Sequence, residues 1–240
     1  MLHKTKGIVL RTVKYSETSV ITTIYTREHG LLSFIVQGVR SSKAKNKAAL
    51  FHPMNQLDLE IYLKENKNLL RIKEYRSYFM YEQLSIDVVR SSIGFFYTEV
   101  LNKVIKEEET NTSLFDFISS QFIQLDSEKL NVLSPQLFLL QLSTYLGFNP
   151  QGNYNEQNSL FDLKEGVFTN HPNSFNLFIP FPLSKYMDEL LQHLSSGTDL
   201  PHISYTERKE LLQYLIKYYM LHIENFKSLH TLKIIEEILS

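Results

Sequence analysis

Cysteine is absent from all 240 residues. That excludes disulfides and thiolate-bound metal, and it makes the cytoplasm the default location. No run of about 18 apolar residues occurs, so no transmembrane helix is expected. Charges interrupt MLHKTKGIVLRTVKY every few positions, which leaves no apolar core for a signal peptide. The eight glycines are scattered, and none opens a GxxxxGK(S/T) phosphate loop. HExxH, GxSxG and paired metal-ligand spacings are missing as well. The eight histidines stand far apart, and His222 and His230 read as surface or boundary residues. Glu107, Glu108 and Glu109 read as a solvated helix end. The expectation is a chain without catalytic turnover and without a cofactor. A nuclease whose carboxylates gather from distant positions stays open on these grounds.

Net charge is only −1, but it is unevenly spread. Residues 1–80 hold 14 Lys and Arg against 6 Asp and Glu, a balance of +8. Residues 81–240 hold the other 11 against 20, a balance of −9. A basic module joined to an acidic one implies a polyanionic partner, either nucleic acid or an anionic membrane. No basic amphipathic helix accompanies the excess, which sets the membrane aside.

The hydrophobic period divides the chain at the same place. KGIVLRTVKY and SVITTIYT alternate with period two and are separated by Ser16-Glu17-Thr18. Arg27-Glu28-His29-Gly30 reads as a turn, with Gly30 at positive φ. LLSFIV is a third strand. NQLDLEIYL is a fourth, facing inward with Leu57, Leu59, Ile61 and Leu63. After a polar turn from Lys64 to Asn68, LLRIKEYRSY is a fifth, with Leu70, Ile72 and, after a slip, Tyr75 inward. Five short strands fit an OB-type barrel, with an SH3-like barrel as the competing reading.

From residue 82 the period becomes helical. Ile86, Val89, Ile93, Phe96, Val100 and Val104 mark one helix face. Phe117, Ile118, Phe122 and Leu125 mark a second, capped by Ser113. Ser134-Pro135 opens a third that ends at Gly147. Ser204 and Glu207 form a capping-box pattern ahead of Leu211, Leu215, Tyr219, Ile223 and Phe226. The last twelve residues read as a short helix. Residues 150–182 lack helical period and hold one hairpin, SLFDLKEGVFTN, turning near Gly166. The expected fold is α+β: a five-stranded barrel over 1–80, then a helical domain over 81–240 with a non-helical insertion at about 150–182.

The cations carry the functional signal. VQGVRSSKAKNKAAL, residues 36–50, contains Arg40, Lys43, Lys45 and Lys47 and no acid. Arg11, Arg71, Lys73 and Arg76 are further candidates on the strands. Such cations bind nucleic acid by displacing counterions from phosphates. The competing reading is solubility and the blunting of strand edges. Tyr15, Tyr25 and Phe34 are available for base stacking, although each fits a core position as well.

GIVLRTVKYSETSVITTIYTREHGLLSFIVQGVRSSKAK resembles the opening of the RecO family of bacterial recombination mediators. The shared elements are the G-I-V-L start, the Y-x-E-x-S break, the Y-T-x-E-x-G turn and the G-x-R-x-x-K loop. PQLFLLQLSTYLGFNP resembles that family's helix ending in L-G-x-x-P, and YLIKYYMLHIENFKSLHTLKIIEEIL its C-terminal helix. The resemblance implies an N-terminal OB fold and a helical C-terminal domain. It also implies binding of single- and double-stranded DNA, annealing of complementary strands, and action with RecR to help RecA displace single-strand-binding protein (SSB). Many members carry a four-cysteine zinc ribbon after L-G-x-x-P. Here that segment, QGNYNEQNSLFDLKEGVFTNHPN, has no cysteine, so no zinc is expected. The resemblance further implies binding of the acidic, hydrophobic SSB C-terminal tail. The available helical cations are Arg90, Lys103, Arg208, Lys209 and Lys217. A passive OB-type RNA-binding protein is the alternative, and strand annealing separates the two readings.

Overall fold

The computed structural model describes residues 1–39, 47–64, 67–106, 110–127, 129–171 and 177–239. Contacts divide the chain into two compact units, 1–130 and 131–240.

In the first unit, β1 (Leu2–Lys14), β2 (Val20–Thr26), β3 (Gly30–Val36), β4 (Gln56–Tyr62) and β5 (Leu70–Phe79) form one sheet. A four-residue helix, α1 (Lys47–Leu50), precedes β4, and α2 (Val88–Val104) and α3 (Thr112–Ser127) follow β5. The length of β1 closes the sheet. Its first half pairs with β4 and its second with β2, giving a closed barrel in the order β1-β2-β3-β5-β4. A register shift between Val9 and Arg11 bends β1 where it changes partners. Within the barrel, among the described residues, only β3 and β5 pair in parallel, through Phe34–Leu70 and Ile35–Arg71. Gly30 turns the β2–β3 hairpin at φ 66, and the Thr26 hydroxyl donates to its carbonyl at 2.8 Å.

Alternation fills the barrel with Val9, Ile24, Phe34, Leu57, Leu59 and Ile61. Leu70, Ile72 and Tyr75 all join this core although their spacing breaks the period. The strand accommodates this by a register shift opposite Glu60 and Ile61, which is the expected slip. Gly7 sits where a side chain has no room: an added Cβ would lie 2.5 Å from Ile24 Cγ2 and 2.8 Å from Leu59 Cδ1. Gly7→Ala is expected to lower stability by about 1–3 kcal/mol through overpacking. Urea unfolding of the variant reads this, and an unchanged midpoint would show that the interior yields.

Ile8, Leu10 and Tyr25 are as buried as the interior residues but lie outside the interior cluster. They belong to the side of β1 and β2 that meets α2 and α3. The Tyr25 ring lies 6.0 Å from Phe115, and its hydroxyl donates to the Asn111 carbonyl at 3.1 Å. The Asn102 amide donates to the Leu10 carbonyl at 2.9 Å. Gln56 is fully buried, and Ser119 Oγ donates to its Oε1 at 2.7 Å.

Ile93, Phe96, Val100 and Val104 form the buried side of α2 as the period implied. Ile86 does not: it precedes the helix, is 75% exposed, and Asp87 makes the cap. The cap of α3 is Asn111, whose Oδ1 accepts from Leu114 N at 2.9 Å, rather than Ser113.

The second unit contains α4 (Ser134–Tyr145), β6 (Leu160–Asp162), β7 (Val167–Thr169), β8 (Phe178–Ile179), α5 (Leu183–Ser196), α6 (Tyr205–His222) and α7 (Leu232–Ile238). Pro135 stands in the first turn of α4, but Ser134 is not its cap residue; Asn131 Oδ1 accepts from Leu133 N at 2.9 Å. The hairpin turns at Gly166, φ 70, and β8 adds a third strand that the sequence did not announce. α5 was likewise unread, although Leu183, Met187 and Leu190 share its buried side. Ser204 and Glu207 form the expected capping box of α6. Leu211, Leu215 and Tyr219 are buried along that helix, which ends before Ile223. Phe226 then returns to within 5.5 Å of the Tyr219 ring. Among the described residues, no helix is long and apolar enough to cross a membrane.

Candidate nucleic-acid interface

The basic loop springs from two fixed points. Val39, after β3, and Phe51, after α1, are both buried. The returning segment is tied to β1: Val9 N donates to Asn55 O, Met54 N to Val9 O, and the Thr12 hydroxyl to Phe51 O. The Asn55 amide closes α1 by donating to the Ala49 and Leu50 carbonyls. Lys47 lies exposed on α1. Arg40, Lys43 and Lys45 lie outside the described residues.

The strand cations fall into two groups. On the outer side of β1-β2-β3, cross-strand partners share a face. One row is Arg11, Thr23 and Ser33; the next is Val13, Ile21, Ile35 and Arg71. Arg11 and Arg71 are exposed and form no ion pair among the described residues. Between them lie two hydroxyls and three partly exposed aliphatic side chains. Tyr15 is exposed at the end of β1. Tyr25 and Phe34 are buried, so of the three aromatic candidates only Tyr15 presents a ring to solvent.

On the outer side of β1-β4-β5 two adjacent rows have an acid on the middle strand. Lys4 lies opposite Glu60, which lies opposite Glu74; Lys6 lies opposite Asp58, which lies opposite Arg76. Glu60 takes Lys73 at 3.0 Å and Lys4 at 3.4 Å. Asp58 Oδ2 accepts from Arg76 Nε at 3.0 Å and Nη2 at 2.9 Å. The Lys6 ammonium sits 4.1 Å above the Tyr78 ring. Lys73, with Lys4 behind it, holds the Glu60 carboxyl below the usual carboxylate range. The two classes of charge differ in depth: Lys4 and Arg76 are 83% and 82% exposed, Glu60 and Asp58 only 19% and 33%.

This side continues into an open groove of about 1100 Å³ that reaches Lys47 and Arg27. Arg27 makes a bidentate pair with Asp116, both contacts at 2.9 Å. Among the described residues the groove lining is charge-balanced: Lys4, Lys6, Arg27, Lys47 and Arg76 against Glu28, Asp58, Glu60, Glu74 and Asp116. Of the candidate contacts, Arg11, Arg71 and Lys47 form no ion pair among the described residues, whereas Lys73 and Arg76 are engaged. The sequence reading passed over Asp58 and Glu60. The signal available for them was two acids at i, i+2 on a strand, hence on one face.

Arg90 and Lys103 belong to the first unit, Arg208, Lys209 and Lys217 to the second. Arg90 donates to the Leu125 carbonyl, Arg208 to the Leu239 carbonyl at 2.8 Å, and Lys209 pairs with Glu236 at 3.3 Å. Lys217 is exposed on α6.

The insertion does not fit zinc. It has no thiolate, and among the described residues no group of three His, Asp or Glu could hold a metal. Side chains anchor the β6-β7-β8 sheet instead. Phe161 packs against Phe168 and Tyr218, and the His222 ring, stacked on Phe148, meets the Leu163 carbonyl through Nε2 at 3.0 Å.

Two family models cover most of the chain: "Recombination protein O N terminal" matches residues 1–81 and "Recombination protein O C terminal" residues 86–230. The chain is 32% identical over 240 residues to the DNA repair protein RecO of Bacteroides fragilis, covering 99% of each. It is 32% identical over 241 residues to that of Phocaeicola vulgatus, covering 100% of each. To that of Flavobacterium psychrophilum it is 34% identical over 247 residues, covering 99% of each. With barrel and helices both matched over almost their full length, the chain belongs to the RecO family.

Proposed function

We propose that the protein is a DNA-binding recombination mediator in DNA repair, acting without catalytic turnover. The observation that carries this is the set of cations that form no ion pair among the described residues, Arg11 and Arg71 on one outer side of a five-stranded barrel and Lys47 on α1, in a chain of this family. The barrel is read as an OB fold, whose β2-β3 side and connecting loops bind single strands. Residues 1–80 form this nucleic-acid module, and residues 81–240, with the insertion at about 150–182, the helical one. DNA meets Arg40, Lys43, Lys45 and Lys47 first, with Arg11 and Arg71 on the strand face; Lys73 and Arg76 form a secondary set. Thr23, Ser33 and the aliphatic strip offer a neutral bed between the arginines, compatible with either single- or double-stranded DNA at the rim.

Mediator activity comprises annealing complementary strands and, with RecR, helping RecA onto SSB-coated DNA. The helical module then serves proteins, the SSB tail among them, and the location is cytoplasmic. Replacing Arg40, Lys43, Lys45 and Lys47 together with Ala tests the interface. Each phosphate contact to a single strand contributes about 0.7 to the slope of log K against log salt, so the slope is expected to fall by about 2.8. Unchanged affinity and slope would leave the loop a solvated surface. Annealing of SSB-coated strands, with and without RecR, separates a mediator from a passive RNA binder.

A further inference from the structure

We infer that Asp58 and Glu60 act as internal phosphate substitutes, occupying Lys4, Lys73 and Arg76 and restraining the barrel's affinity for DNA. The inference rests on the DNA-binding reading above and concerns its regulation.

The register makes the arrangement systematic. On β4 the acids stand at alternate positions, 58 and 60, facing the same side. On β1, Lys6 and Lys4 stand opposite them; on β5, Arg76 stands opposite Asp58, and Lys73, next to the Glu74 that faces Glu60, reaches Glu60 at 3.0 Å. Glu60 serves two cations at once, and Asp58 gives one oxygen to two nitrogens of Arg76. Asp58 and Glu60 are recessed while Lys4 and Arg76 stand outermost, so an approaching polyanion meets those two cations first and must compete with carboxylates already in place. The β1-β2-β3 side, with Arg11 and Arg71, has no such acids.

Counterion release gives this a measurable form. An open cation that binds a phosphate frees the counterion condensed on DNA there. A cation taken from a carboxylate does the same, but the stranded carboxylate then recruits a cation from solution. The net release cancels, so paired cations add little to the salt slope. Removing the two acids turns Lys4 and Arg76 into open cations, while Lys73 keeps Glu74 at 3.8 Å. At about 0.7 each, the two should steepen the slope by about 1.4. Between 50 and 200 mM salt, a fourfold change, the affinity advantage of the variant should then shrink by about 7-fold.

The test measures binding of the full chain to a single-stranded oligothymidylate across that salt range, for native protein, Asp58→Asn/Glu60→Gln and Glu60→Gln. Tighter binding with a steeper slope in the double variant is the expected result. Equal or weaker binding, or an unchanged slope, overturns the inference while native binding keeps the DNA-binding reading intact. Failure of the native chain to bind removes both. A second comparison does not depend on the double variant folding. Lys4→Gln should weaken binding more in the Glu60→Gln background than in the native one, and equal losses would overturn the inference.

Discussion

A chain ending at Met80 is expected to lose cooperative unfolding, whereas one ending at Leu130 retains it. The barrel closes within residues 1–80, so its hydrogen-bond ladder is complete without the helices. Its outer side is not. Ile8, Leu10 and Tyr25 are at most 1% exposed, and the contacts of Tyr25 and Leu10 run to Phe115, Asn111 and Asn102. Exposing three large side chains costs about 1.5–3 kcal/mol each, roughly 4.5–9 kcal/mol in all. Domain stabilities are about 5–15 kcal/mol, so this loss takes most of the margin. Urea titration followed by circular dichroism reads the difference. A single sharp transition at the same midpoint in both fragments would show that α2 and α3 merely rest on the barrel.

That coupling bears on charge. Residues 1–80 carry +8, but residues 81–130 bring 4 cations and 9 acids, which lowers the first compact unit to +3. A basic module read along the chain thus becomes a nearly balanced body whose faces differ. Among the described residues Arg11, Arg71 and Lys47 form no ion pair, while Asp116, Asp58 and Glu60 each hold a cation.

Local features were legible in the sequence. Leu57, Leu59 and Ile61 alternate because a single face of β4 is buried, and a period of two is a local property. The slip before Tyr75 was legible too, since an apolar residue of wrong parity needs an extra residue to turn inward. The capping box at Ser204 and Glu207 spans four residues and could be read directly. Cap choice was harder where several candidates sit together: in Asn111-Thr112-Ser113 the side chain that reaches Leu114 N belongs to Asn111. Tyr25 shows the limit of alternation. It is on the outer side by parity, and only the return of α3 some 90 residues later makes that side a core. The pairing of Asp58 and Glu60 with Lys4, Lys73 and Arg76 depends on the registers of three strands, which no local pattern sets.

Asp126→Ala is expected to destabilise the first unit by about 3–5 kcal/mol through the loss of hydrogen bonds to a charged group. Asp126 is 5% exposed on α3, and its carboxylate collects three consecutive backbone donors from the segment between β5 and α2. Oδ1 accepts from Gln83 N at 2.8 Å and Leu84 N at 2.6 Å, and Oδ2 from Glu82 N at 3.1 Å. Those residues are where the chain leaves the barrel, so one side chain fixes the entry to α2. Hydrogen bonds to a charged group contribute about 1.5–3 kcal/mol each, and a buried N–H left unpaired costs about 1–3 kcal/mol. Part of this is recovered if water enters beside Glu82 and Gln83, which are exposed, but Leu84 is buried. Asp126→Asn separates charge from geometry. Its carbonyl oxygen can still accept from Gln83 and Leu84, while its NH₂ would face the Glu82 N–H, donor against donor. The Asn variant should therefore fall between native and Ala. Urea midpoints at constant m-value measure both. If Asn and Ala lose the same amount, the carboxylate acts through its charge alone; if neither loses stability, the turn is held by the packing of Leu84.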